Sequence, residues 1–123
     1  LLQLLLGHRF MLHDTNVLTL FTCALGIVDQ IQVPKEMEET GRMVVMKHLL
    51  DTNLHVNNAQ YVDIARELLP AGTEISEIRA EYRKAAVLGD EIVIRSAREG
   101  KSYLVSLCNP DGDVFANIEL KEM

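Results

Sequence analysis

Asp51-Thr52-Asn53-Leu54-His55-Val56-Asn57-Asn58, with Tyr61 just behind it, is the stretch on which the reading of this chain turns. An acid, an amide and an imidazole stand at alternating positions, and an apolar run with helical spacing follows at once. Side chains two apart in an extended segment point the same way. Asp51, Asn53 and His55 are therefore expected to converge just before a helix N-terminus. The spacing predicts that helix over residues 56–69: Val62, Ala65 and Leu69 fall on one stripe, with Tyr61, Ile64 and Leu68 beside it. Asn57 or Asn58 can cap it, and Pro70 and Gly72 end it. A helix so apolar around its circumference is expected to be wrapped by a sheet.

Outward from the helix, the remaining pattern is strand-like. Residues 43–48 read as a short strand before it. After it, Ile78, Ala80 and Tyr82 alternate with Glu77, Arg79, Glu81 and Arg83, the pattern of a half-buried strand. Leu88-Gly89-Asp90 turns into a strand over 91–97, and Arg98-Glu99-Gly100-Lys101 turns into one over 102–108. Asn109-Pro110-Asp111-Gly112-Asp113 is the strongest turn signal in the chain, and an alternating strand runs from it to the C-terminus. Residues 4–12 and 17–28 read as a hairpin buried on both faces, and residues 29–42 as a linker or a short surface helix. One helix under one antiparallel sheet is an α+β architecture.

The 123 residues suffice for one domain with a real core, and the 48% hydrophobic and 24% charged fractions are those of a globular protein. A net charge of −6 argues against general nucleic-acid binding, which needs a basic face. The longest uncharged run, residues 15–28, is shorter than the roughly 20 apolar residues of a membrane span. Cys23 and Cys108 make neither a metal motif nor a disulfide framework, and both sit in apolar runs as buried small hydrophobes of a reduced compartment. The opening leucines lack a basic n-region and a cleavage pattern, so they are not read as a signal peptide. A start at Leu1 rather than Met is expected of a fragment, a processed form, or a chain whose disordered first residues are left out.

The polar octad has the chemistry of a hydrolytic site. An imidazole near its ordinary pKa of about 6.5 takes a proton at neutral pH, so His55 is assigned the activation or positioning of water. Asn53 can hold that water or donate to a carbonyl, and ionised Asp51 can orient its neighbours or backbone N–H groups. The helix start offers unpaired N–H groups to developing negative charge. The competing structural reading is that Asp51, Asn53 and Asn58 merely satisfy the turn and cap the helix. His8, His13 and His48 show no metal-ligand spacing. Residues 79–101 hold six basic residues against four acids, a local +2 on a chain of −6. That stretch is either a docking patch for an acidic partner or phosphate, or a strand face laced by cross-strand ion pairs.

The order strand, helix, four strands resembles the hotdog fold. Asp51-x-Asn53-x-His55-Val56-Asn57-Asn58-x-x-Tyr61, followed by Glu67-Leu68-Leu69-Pro70 and Glu81-Tyr82-Arg83-Lys84, resembles the acyl-acyl carrier protein thioesterases of plastids and bacteria. Those are tandem double hotdogs, so the resemblance implies that residues 1–35 are the last strands of a first hotdog plus linker, and that 36–123 form a complete second one. It implies a cofactor-free thioester hydrolase of fatty acid synthesis, acting on acyl-acyl carrier protein or acyl-CoA. The setting would be the cytoplasm, or the plastid stroma in a plant. Asp51, Asn53 and His55 would be catalytic, and Asn57, Asn58 and Tyr61 would line the substrate. The chain would pair with a first hotdog or, as a single hotdog, with a second copy of itself; a non-catalytic acyl-binding hotdog is the remaining alternative. One departure matters: the family carries a Glu where this chain has Ala85.

Overall fold

The computed structural model describes residues 10–11 and 31–123. Among the described residues are six strands and one α-helix: β1 (Phe10–Met11), β2 (Glu38–Val44), α1 (Asn58–Arg66), β3 (Ile75–Tyr82), β4 (Glu91–Glu99), β5 (Ser102–Cys108) and β6 (Val114–Glu122). The strands form one sheet in the order β1-β3-β6-β5-β4-β2, and every pair is antiparallel. Consecutive hairpins build β4, β5 and β6. The β4–β5 connection is a tight one in which Gly100 takes φ 60°, and the β5–β6 loop places Gly112 at φ 97°, a conformation that a residue with a Cβ resists. There Asp113 N–H donates to the Asn109 side chain at 2.9 Å, the local chemistry that the Asn-Pro-Asp-Gly sequence supplies.

Helix α1 packs across β6 and buries Tyr61, Val62, Ile64 and Ala65. Ile78, Ala80, Ile92, Val105, Leu107, Ile118 and Leu120 meet it from the sheet. The α+β architecture expected from the sequence is therefore present. The one long helix is not: α1 has nine residues, and Leu68 and Leu69 lie beyond it in tight turns, their N–H groups donating to Ala65 O and Arg66 O. Both still pack on the core. Burial accounts for their apolar character, and Pro70 keeps the segment from continuing as helix.

Two further expectations change. Part of the 29–42 segment is neither linker nor helix, since β2 begins at Glu38 and pairs along β4, while residues 47–49 close a single 3₁₀ turn. Strand β3 is half-buried at Glu77 and Arg79, but Glu81 on the same face is 7% exposed, accepting from Asn117 Nδ2 at 3.1 Å and Ile31 N–H at 3.4 Å. Val93, Leu104, Ser106 and Cys108 are buried as well. Cys108 is free, and burial raises its thiol pKa. Cys23 and most of the expected N-terminal hairpin lie outside the described residues. Phe10–Met11 does pair as a strand, with Phe10 opposite Ile78.

On the face of Glu81, Arg79 bridges Glu119 at 2.8 Å, and Ser102 Oγ donates to the same carboxylate at 2.7 Å. Burial alone would raise the Glu119 pKa, but these hydrogen bonds and the Arg79 charge outweigh it and hold it below the ordinary 4.5. A depressed folded-state pKa adds stability that is fully present above the unfolded value and is lost as pH falls through the folded one. We therefore expect urea-unfolding stability of the wild type to fall as pH drops below about 4.5. In Glu119→Gln that acid-side slope should be shallower; identical slopes would refute the assignment. Arg98 likewise pairs with Glu122 at 2.7 Å and stacks over Tyr103. For these two cations the cross-strand reading of the basic stretch holds.

Candidate active site

Leu50 and Val56 are bridged as antiparallel partners, and residues 51–55 form the loop between them. Asp51 shapes this loop. Its Oδ1 accepts the N–H of Asn53 at 2.8 Å and that of His55 at 3.3 Å, while its own N–H donates to His55 O at 2.8 Å. An aspartate that gathers the N–H groups of the following residues is a turn-forming device. The expected extended alternation is thus replaced by a tight turn. Leu54 completes it at φ 63°, a left-handed conformation that a bulky residue adopts only where its surroundings impose it. Asp51, Asn53 and His55 do come together, through the backbone of this loop rather than through a shared strand face. Asn53 and His55 are exposed; Asp51 is half-buried.

Asn57 caps α1, its side chain accepting from Ala59 N–H at 2.9 Å. Asn58 is the first helical residue and is half-buried. Loss of the cap in Asn57→Ala is expected to cost about 1 kcal/mol of stability, read as a lower urea midpoint; an unchanged midpoint would count against the cap. Tyr61 is 1% exposed, and its hydroxyl accepts the N–H of Ala86 at 2.9 Å. Burial raises the Tyr61 pKa, and the charges of Asp90 and Asp51 add to the rise against the lowering effect of that N–H.

The second wall of the site comes from the segment joining β3 to β4. His55 and Val87 are bridged partners, and Val56 N–H donates to Ala86 O at 2.9 Å. This is the pair type of an antiparallel ladder in which facing side chains stand closest. Val56 and Ala86 point into the core, with Ala86 at 0% exposure, while Ala85 and Val87 stay exposed beside His55. Asp90 locks the turn that follows by accepting Val87 N–H on Oδ2 at 3.0 Å. Position 85, where the resemblance places a Glu, lies two residues before Val87, the bridged partner of His55. Glu81 does not substitute for it, because its carboxylate is engaged with Asn117 and Ile31.

Sequence reading did not anticipate the contributions of Ala86, Val87 and Asp90. The Leu-Gly-Asp turn was visible, but its docking beside His55 was not. Exposed Met46, Leu54, Val87 and Leu88 surround this corner. Two clefts lie elsewhere. One of about 570 Å³ is lined by Asp63, Arg66, Glu67 and residues 69–73, and another of about 250 Å³ by Leu68, Leu69, Arg98 and Tyr103 among others. Both open toward the C-terminal end of α1. Among the described residues no cluster of three His, Cys, Asp or Glu side chains could hold a metal ion, and no helix is long and apolar enough to cross a membrane.

Residues 32–120 match the family model of the acyl-ACP thioesterase C-terminal domain. The chain belongs to that family. Among solved structures, the 12:0-ACP thioesterase from Umbellularia californica is similar at 20% identity with a TM-score of 0.66, over 78% of this chain and 40% of that one. An acyl-ACP thioesterase from Bacteroides thetaiotaomicron matches at 16% identity and a TM-score of 0.65, over 76% of this chain and 42% of that one. A Staphylococcus aureus protein in complex with CoA matches at 18% identity and a TM-score of 0.60, over 73% of this chain and 77% of that one. At these identities the likeness shows a common fold, the hotdog arrangement. This chain spans less than half the length of the two acyl-ACP thioesterase structures. No curated protein matches it.

Proposed function

We propose that this acyl-ACP thioesterase C-terminal domain hydrolyses fatty acyl thioesters, carrier-protein-linked by preference, and releases the free acid. The observation that carries the proposal is the loop in which one carboxylate oxygen of Asp51 fixes the backbone of both Asn53 and His55. His55 takes the proton of the attacking water, and Asn53 holds that water or the thioester carbonyl. Asp51 acts by orienting both. The tetrahedral oxyanion then collapses, expelling the thiolate of the carrier arm, which is protonated as it leaves. No step needs a cofactor.

Residues 1–35 are read as the end of a first hotdog, with 36–123 as the complete second one. The pairing of Phe10–Met11 with β3 supports this, since it extends the sheet on that side with upstream chain. An exposed site with apolar side chains around it fits a wall supplied by a paired hotdog, either the first domain or a second copy. A second reading, acyl binding without turnover, is favoured by one observation: Ala85 offers no acid or base beside His55. Release of free thiol from acyl-carrier protein and acyl-CoA by the wild type, beside His55→Ala, decides between them. Equal rates in the two proteins would overturn the role of His55, and ligand binding without thiol release would favour the second reading.

A further inference from the structure

We propose that Tyr61 is a positioning residue of this site, and that its buried hydroxyl stands in for a missing rung of the ladder that holds segment 85–87 against His55. The proposal rests on the thioesterase reading for its catalytic consequence and on geometry alone for its structural one. In a regular antiparallel ladder Val56 and Ala86 would exchange two hydrogen bonds. One is present, from Val56 N–H to Ala86 O at 2.9 Å. The other N–H, that of Ala86, turns instead to the Tyr61 hydroxyl at 2.9 Å.

The reason is local. Asn57 is the last extended residue before α1 begins at Asn58, so strand pairing can go no further. Tyr61 sits one turn into α1, where a side chain reaches back toward the helix start. Its ring is fixed at 1% exposure against Tyr82, with ring centroids 6.1 Å apart. The hydroxyl thus reports the position of the helix directly to Ala86, and through the adjoining peptide groups to Ala85 and Val87. Asp90 clamps the other end through Val87 N–H. Between these two clamps the wall facing His55 has one register.

The test is Tyr61→Phe in the full 123-residue chain, with Tyr103→Phe as a control hydroxyl loss away from the site. Removing the hydroxyl leaves a buried N–H without a partner, so amide exchange at Ala86 and Val56 should quicken about tenfold in Tyr61→Phe. The central β5 and β6 amides should stay as protected as in the wild type. The His55 imidazole resonances should shift in Tyr61→Phe and not in Tyr103→Phe. For thiol release, kcat should drop about tenfold at unchanged KM. Unchanged Ala86 exchange and unchanged His55 resonances would overturn the proposal. A uniform loss of protection across the sheet would overturn it too, by showing a purely global role. A wild type without turnover would sink the thioesterase reading alone, because the exchange and resonance measurements decide the positioning role without it.

Discussion

His55→Ala is expected to lower thioester hydrolysis by about 10²–10⁴-fold, the usual cost of removing a general base. The loss should fall on kcat, since in the proposed mechanism the imidazole acts on water rather than on the acyl chain. Fold and stability should hardly move. The side chain is exposed, and the described hydrogen bonds at this residue, with Asp51, run through its backbone. Thiol release under saturating substrate, with circular dichroism as the check on folding, measures both. A variant that retains wild-type kcat would mean that water is activated elsewhere. A variant that unfolds would contradict an exposed position for this side chain.

Ala85→Glu is expected to raise activity, by about tenfold or more. A second acid or base placed within reach of the reacting atoms contributes on the order of 10²–10⁴-fold when well aligned, and a carboxylate two residues from the bridged partner of His55 recovers only part of that. The position accepts the change without cost to the core: Ala85 is exposed, whereas neighbouring Ala86 is fully buried. The gain should depend on His55. In the double variant with His55→Ala, the added Glu should return little, and the coupling between the two positions is the quantity to measure. A gain that persists without His55 would place the new carboxylate in a separate mechanism. No gain at all would show that Ala85 is not what limits this site.

Much of the fold was legible in the sequence because burial imposes a period on it. Ala116, Ile118 and Leu120 alternate and all face the core, and strand β5 matches the expected 102–108 segment. The length of α1 was misjudged for a physical reason. Leu68 and Leu69 are apolar because they pack on the core, and periodicity reports burial rather than backbone conformation. Glu81 misled in the opposite sense, as a charge at a position that proves to be covered. Alternation tells the two faces of a strand apart but does not say whether the second meets water.

For the site, the sequence by itself determined the chemistry: an acid, an amide and an imidazole ahead of an asparagine-capped helix, with no acid at 85. Their proximity followed from a few bonds of chain, so it survived the change from extended strand to tight turn. Only the tertiary structure decided what faces them. The bridge from His55 to Val87 and the bond from Ala86 to Tyr61 join segments far apart in the chain. Local propensity carries no record of such pairings. They are selected by the joint burial of Val56, Ala86 and Tyr61, a free energy that exists only once the helix has docked on the sheet.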